Sequence, residues 1–142
     1  MKNINKERIV FLDIETVPQT VDYKELPGRL PELWEEKAET LKKRIPDRYP
    51  AESDAQYVFA NGAGIFAEFG KIVCISAGFI YRKEGKEHFR VKSFYGDDES
   101  KLLIEFCAML ELFGRPSEIN LCGHNIKEFD VPYICRRLLV NG

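Results

Sequence analysis

Near its start the chain carries an apolar segment that ends in two acids: Ile9-Val10-Phe11-Leu12-Asp13-Ile14-Glu15-Thr16. A short continuous run of apolar residues is typical of a buried β-strand, which we expect over Arg8–Asp13. Asp13 and Glu15 are two positions apart, and on a strand that spacing places both side chains on one face. The segment therefore predicts two carboxylates held side by side on a buried strand, away from water.

These two acids need a partner for their charge. Two like charges at close quarters repel, and a hard divalent cation such as Mg²⁺ relieves the repulsion with oxygen ligands, few of them from protein. A third carboxylate, Asp130, opens the last helix predicted from the sequence and follows another strand. Open α/β sheets bind ligands at the carboxyl ends of their strands. The three acids therefore predict a metal-dependent phosphoryl-transfer site.

The composition is typical of a single intracellular domain with a substantial core. The chain has 142 residues, of which 44% are hydrophobic, with a net charge of −2. A passive nucleic-acid coat protein would be strongly basic, whereas a nuclease restores positive charge locally with its metals. Residues 1–7 are too polar for a signal peptide, and no apolar run approaches the roughly 20 residues of a membrane span. We expect a cytoplasmic protein without a membrane partner.

The cysteines and histidines argue against disulfides and zinc. The four cysteines are widely spaced in apolar sequence, with no Cys-x-x-Cys pair: Cys74, Cys107, Cys122 and Cys135. We expect them to be reduced and to act as small buried hydrophobic residues, as is usual in the cytosol. The two histidines leave little room for a zinc site.

Hydrophobic periodicity predicts the order strand, insertion, strand, strand, helix, strand, helix. The insertion covers residues 18–70 and is expected to be irregular, apart from an amphipathic charged segment at Pro31–Ile45. Three antiparallel strands in a meander, followed by a helix that crosses over to a parallel strand, predict a mixed α/β sheet. The later elements are strands at Lys71–Arg82, Glu87–Tyr95 and Glu118–Cys122, a helix from residue 97 to Gly114, and a helix over Val131–Val140 with Asp130 as N-cap.

Several of these residues also have a purely structural explanation. Asp is a favoured helix N-cap, so Asp130 could serve only its own helix. Asn125 could shape the turn after its strand, and Phe129 could belong to the core. We interpret His124 as a turn residue or a neighbour of the site rather than as a catalytic base. In the insertion, we interpret Trp34 as a packing anchor and the Lys37–Arg48 charge run as a solvated helix face.

In two motifs the chain resembles the 3′–5′ exonucleases of the four-acid (DEDD) superfamily, and most of all the proofreading domains of family-B DNA polymerases. The family's first motif, a strand ending in Asp-x-Glu, is similar to Phe11–Thr16. Its second motif, Asn-x-x-x-Phe-Asp, is similar to Gly123–Pro132, and Glu68–Ser76 looks like its second strand. The resemblance implies the ribonuclease H-like fold over most of the chain.

The resemblance also implies a role for each residue of the motifs. Asp13 would bind both of two Mg²⁺ or Mn²⁺ ions about 3.5–4 Å apart. Glu15 would bind one of them and steer the attacking water, and Asp130 would hold the other. Thr16 and Phe129 would shape the slot for the terminal nucleotide, and Asn125 would help to place the strand. The implied substrate is the 3′ end of single-stranded nucleic acid, DNA more than RNA.

The family's third motif, Tyr or His followed four residues later by Asp, has no counterpart in this sequence. Val131–Gly142 contains no acid. We therefore expect a truncated gene product that lacks the last strand and helix of the fold, with exonuclease activity weak or absent. Two other interpretations stay open: a non-catalytic nucleic-acid-binding or protein-interaction module of the same fold, and a poorly folded fragment that associates through its exposed sheet edge.

Overall fold

A computed structural model of the chain describes residues 5–114 and 119–142. Contacts divide the chain into two compact units. The first unit consists of the residues up to Glu15 together with Ile72–Gly142, and the second of Thr16–Lys71. The bounds of the second unit lie within two residues of the insertion expected at 18–70.

A four-stranded sheet forms the framework of the first unit. Its strands are β1 (Ile9–Pro18), β2 (Gly70–Lys83), β3 (Lys86–Tyr95) and β4 (Asn120–Cys122), in the order β3-β2-β1-β4. β2 and β3 are antiparallel, and β4 runs parallel to β1. The predicted mixed α/β sheet is therefore confirmed. Of the strand expected at Glu118–Cys122, Glu118 lies outside the described residues.

The β2–β3 hairpin has a two-residue turn, tighter than the interval 83–86 that separates the two strands expected from the sequence. Lys83 pairs with Lys86, and both intervening residues have positive φ, 54° at Glu84 and 75° at Gly85. Positive φ at both central residues is the geometry whose twist matches that of the flanking strands. Gly85 adopts this conformation without steric cost, so the turn fixes the register of the hairpin.

Two helices complete the first unit, α3 (Glu99–Phe113) and α4 (Asp130–Asn141). As predicted, α3 begins at the acidic segment Asp97–Glu99. The Asp98 carboxylate caps the helix by accepting a hydrogen bond from Lys101 N at 3.0 Å. α3 packs on the hairpin, with the ring of Phe106 5.9 Å from that of Phe94. Gly114, with φ 120°, ends the helix as predicted.

A buried ion pair joins α3 to α4. The Glu99 carboxylate accepts hydrogen bonds from Arg137 Nε at 2.9 and 3.0 Å, and from Ile72 N of β2 at 2.7 Å. Burial raises the pKa of Glu99, but the hydrogen bonds from Arg137, Ile72 and Asn141 outweigh it, so the pKa lies below its usual value. The ion pair thus ties both helices to one strand.

The second unit is a small helical unit with its own core. The amphipathic segment expected at Pro31–Ile45 is found as a helix, whereas the irregular structure expected for the rest of the insertion is replaced in part by further helix. The unit contains α1 (Leu30–Arg44) and α2 (Ala55–Gly62). Trp34 is fully buried, and its Nε1 donates to the Ala55 carbonyl at 3.0 Å. This confirms its role as a packing anchor. The aromatic and aliphatic residues that share this core include Tyr23, Leu26, Ala38, Leu41, Tyr49, Val58, Phe59 and Phe69.

The charge run of the second unit is solvated only in part, and the cysteines are not buried as expected. Lys42, whose side chain is 12% exposed, donates to the Ser53 carbonyl at 3.1 Å. Lys43, Arg44 and Arg48 are exposed to solvent, as expected for a solvated face. The cysteines are free thiols, but Cys122 and Cys135 are exposed and the other two are half-buried. Cys122 lies on the three-residue strand β4, and all three residues of this strand are exposed to solvent. No helix in the described part of the chain has the length and apolar character needed to cross a membrane.

Candidate active site

β1 presents its two acids to solvent, which corrects the expectation that they would be held away from water. Val10, Leu12 and Ile14 are buried, whereas Asp13 and Glu15 are exposed. Alternate residues of a strand point to opposite faces, so both carboxylates share one face as predicted. The apolar run arises because one face of β1 lies in the core and Phe11 is half-buried on the other.

Asp130 has a different role from the N-cap expected of it. Phe129 occupies the N-cap position, and Asp130 is the first residue of α4. Its carboxylate is 4% exposed, and its Oδ1 accepts a hydrogen bond from Ile14 N at 3.2 Å. The contact joins residues 116 positions apart in the sequence. Asp130 therefore serves the strand that carries Asp13, in addition to opening its own helix.

The surroundings of Asp130 favour its neutral form. Burial raises its pKa, backbone hydrogen bonds including that from Ile14 lower it, the charge of Asp13 raises it, and His124 lowers it, so that the pKa lies above its ordinary value. A buried carboxylate that also faces a second carboxylate is stabilised by any cation that reaches it. This combination is common at functional sites.

Asp13 and Asp130 border one cleft in the first unit, with a volume of about 500 Å³. Volumes of this size are typical of ligand sites. The turn between β4 and α4 supplies one side of the cleft and β1 the other. The residues that line it are Asp13, Ile14, His124, Asn125, Phe129 and Asp130.

The turn between β4 and α4 depends on two unusual backbone positions. A Cβ on Gly123 would lie 2.5 Å from the Leu12 carbonyl oxygen, so only glycine allows this close approach to β1. Asn125 has φ 52°, a left-handed conformation that Asn adopts more readily than most residues. Its carbonyl accepts hydrogen bonds from Glu128 N and Phe129 N, both at 3.0 Å. Asn125 therefore shapes the turn and also lines the cleft.

The other residues singled out in the sequence are placed as follows. Phe129 is half-buried, with its ring 5.5 Å from that of Tyr133. Glu15 is exposed two positions beyond Asp13, and Thr16 is half-buried on the same strand but belongs to the second unit. His124, set aside as a turn residue or neighbour of the site, lines the cleft itself.

Sequence reasoning missed two supports of this site. The importance of Gly123 follows from a contact with β1 that no local pattern announces. Glu99 looked like one more acid in a helix start, yet it is buried against Arg137 on the helix that carries Asp130. An acid that follows a helix N-cap is common, so the only sequence signal was an Arg at helical spacing from Tyr133 and Ile134, on the buried face of α4.

The cleft offers the carboxylate oxygens of Asp13 and Asp130 and the amide of Asn125, hard ligands that fit Mg²⁺ or Mn²⁺ better than zinc, together with one imidazole from His124. Within residues 5–114 and 119–142, no three His, Cys, Asp or Glu side chains are grouped so as to hold an ion alone. Mg²⁺ usually takes only one or two carboxylates from protein and keeps waters or substrate phosphates as its other ligands. Asp13 and Asp130 therefore fit an ion bound together with a phosphate group, rather than a closed structural site.

Comparison of the chain with protein-family models, with curated proteins and with solved structures finds no match. The site must therefore be interpreted from its own residues.

Proposed function

We propose that this chain is a metal-dependent 3′–5′ exonuclease domain of the ribonuclease H-like class, acting on the 3′ end of single-stranded nucleic acid, with DNA favoured over RNA. The observation that carries the proposal is that Asp13 and Asp130, from the two motifs, line one cleft. Asn125 and Phe129, also from the second motif, line the same cleft. β4 pairs in parallel with β1, so both motifs reach the carboxyl end of neighbouring strands, where open α/β sheets bind their ligands.

The acids would act by holding charge where a phosphodiester is cleaved. A bound Mg²⁺ or Mn²⁺ would neutralise the phosphoryl oxygens and lower the pKa of a water molecule. Asp130 is fixed by the Ile14 N–H and by burial, so its carboxylate needs little reorganisation to act as a ligand. Asp13 is exposed at the same cleft and would bind from the solvent side, while Glu15, on the same face of β1, would steer the water.

The remaining cleft residues suit a terminal nucleotide. The half-buried ring of Phe129 offers an apolar surface to a sugar or base, and single-strand binders use aromatic residues in this way. The Asn125 side chain would bind the backbone of the strand.

A second candidate is a non-catalytic module that binds nucleic acid or protein. The observation that favours it is that no three potential ligands are grouped around an ion site in the described part of the chain. The first proposal is preferred because a module without catalysis gains nothing from a buried charge at position 130, where an uncharged oxygen could also accept the hydrogen bond from Ile14 N.

A single-turnover nuclease assay tests the proposal. A single-stranded DNA oligonucleotide with a 5′ label would be incubated with excess protein and Mn²⁺, for the native chain and for Asp13→Asn, Glu15→Gln and Asp97→Asn. We expect stepwise shortening from the 3′ end, slowed at least about a hundredfold by Asp13→Asn, which corresponds to about 2.7 kcal/mol. Asp97 is exposed and remote in sequence from both motifs, so its variant is the matched control.

The alternative outcomes separate the two candidates. Shortening that is equally fast in the native chain and in Asp13→Asn would assign the activity to a contaminant and overturn the proposal. Binding of the oligonucleotide without shortening, unaffected by Mn²⁺, would favour the non-catalytic module.

A further inference from the structure

A second cleft of the first unit lies between the β2–β3 hairpin and the end of α3. It has a volume of about 360 Å³ and is called here the basic cleft. Its size falls within the range of sites that hold a ligand or a buried side chain. The residues that line it are Phe79, Arg90, Lys92, Met109, Leu112 and Phe113.

The basic cleft shares no lining residue with the cleft of Asp13 and Asp130, and its two charged residues lie on the face of the sheet that packs on α3. Arg90 and Lys92 alternate with Phe89 and Val91 along β3, so the two pairs point to opposite faces. Phe94 shares the face of Arg90 and Lys92, and it packs on α3. The ring of Phe89, in contrast, lies 5.6 Å from that of Phe11, which shares the face of Asp13.

The rim of the basic cleft is positively charged without local compensation. Among residues 5–114 and 119–142, neither Arg90 nor Lys92 forms a salt bridge. Each instead lies over an aromatic ring, Arg90 5.5 Å from the centre of Tyr81 and Lys92 4.4 Å from that of Phe94. Among the residues that the structure describes, no acid lines the cleft. These two cations therefore attract negative charge to its edge.

The floor of the basic cleft is apolar and partly open to water. Leu112 is 88% exposed, although it follows the buried Phe106 and Met109 at helical spacing along α3. Phe79 and Phe113 pack edge to face beside it, with ring centres 4.7 Å apart. An exposed apolar surface with a polar rim is typical of an interaction site.

We propose that the basic cleft binds an acidic segment of a partner protein, with one bulky apolar side chain in the cleft and carboxylates on Arg90 and Lys92. The aliphatic Leu112 and the thioether of Met109 suit an apolar side chain, and Met adapts to different partners. A single nucleic-acid strand would instead need open aromatic faces for its bases. The Tyr81 ring is already covered, with His88 stacked on it at 5.3 Å and Arg90 at 5.5 Å.

Fluorescence anisotropy on the full chain tests this assignment with defined probes. The probes are labelled peptides in which a run of aspartates precedes Phe, Trp, Leu or Ile, together with peptides that carry lysines in place of the aspartates. The variants are Arg90→Glu and Leu112→Asp, each confirmed to be folded by its melting temperature. Lys86→Glu, on the same strand, and Ile104→Asp, on the same helix and 66% exposed, are matched controls outside the cleft.

We expect at least one acidic peptide to bind, and each cleft variant to weaken it about tenfold or more, equivalent to about 1.4 kcal/mol. The lysine peptides should not bind, and the two control variants should bind like the native chain. The assignment is overturned if no acidic peptide binds, or if the control variants lose as much affinity as the cleft variants. It is also overturned if a labelled single-stranded oligonucleotide binds instead and Leu112→Asp abolishes that binding. None of these outcomes depends on the proposed nuclease activity.

Discussion

The sharpest prediction concerns the buried carboxylate of Asp130. Its charge should destabilise the folded chain without a cation and stabilise it when a cation is bound. Asp130→Asn removes the charge but keeps an oxygen that can accept from Ile14 N. Asp130→Ala removes that acceptor and leaves a buried N–H unpaired, which costs about 1–3 kcal/mol. At about 3 °C per kcal/mol for a chain of this size, the alanine variant should melt roughly 3–9 °C below the native chain.

The sign of the asparagine effect follows from the raised pKa of Asp130, with burial as its main cause. Because the pKa of Asp130 is higher in the folded chain than in the unfolded chain, the protonated carboxyl stabilises the fold. This contribution is complete at pH values below 3.8, the ordinary pKa of the group. This contribution is lost as the pH rises through the folded pKa. At neutral pH without metal, Asp130→Asn should therefore melt at or above the temperature of the native chain, and this advantage should shrink toward about pH 4.

Thermal melting in EDTA and in millimolar Mn²⁺ provides the measurement. The native chain should gain stability with Mn²⁺, because an ion that binds only the folded state shifts the equilibrium toward it. Asp130→Asn should lose most of that gain, and the exposed control Asp97→Asn should keep it. The reasoning is refuted if Asp130→Asn is as unstable in EDTA as Asp130→Ala, or if Mn²⁺ stabilises both chains equally.

Four further predictions concern the supports of the site. Arg137→Met should destabilise the chain by about 3–5 kcal/mol in urea unfolding, because it leaves the Glu99 carboxylate buried without its cation; an effect below about 1 kcal/mol would show that the ion pair is dispensable. The pKa of Glu99 is lowered in the folded chain, so its ionised carboxylate should stabilise the fold at pH values above 4.5, the ordinary pKa of the group. This stabilisation should be lost as the pH falls through the folded pKa. Gly123→Ala should lower the melting temperature, since its Cβ would meet the Leu12 carbonyl oxygen at 2.5 Å; an unchanged temperature would mean that the turn moves freely. Asn125→Ala should destabilise by about 1 kcal/mol and Asn125→Gly by less, because glycine tolerates positive φ; equal losses in both would assign the effect to the side chain in the cleft.

Much of the first unit could be predicted from local sequence because its signals are local. Strand and helix periodicities depend on which residues face the core, and the positive-φ turn at Gly85 and the cap at Asp98 depend on chemistry within a few residues. The same-face placement of Asp13 and Glu15 also follows from strand geometry alone. The exposure of those acids could not be predicted from the sequence. A strand with one apolar face and a half-buried Phe11 on the other has the same continuous apolar pattern as a strand buried on both faces.

The sequence by itself determined the elements of the mixed sheet, their order along the chain and the two acidic motifs, since each depends on residues within a short segment. Only the tertiary structure decided that the carboxylate of Asp130 accepts a hydrogen bond from Ile14 N, that Glu99 is paired with Arg137, and that residues 16–71 form a unit with its own aromatic core. These features join residues far apart in the chain, and the side chain of an Asp at a helix start can satisfy its own helix or a distant strand. Which of the two occurs is set by the packing of α4 against β1, and local sequence carries no signal for that packing.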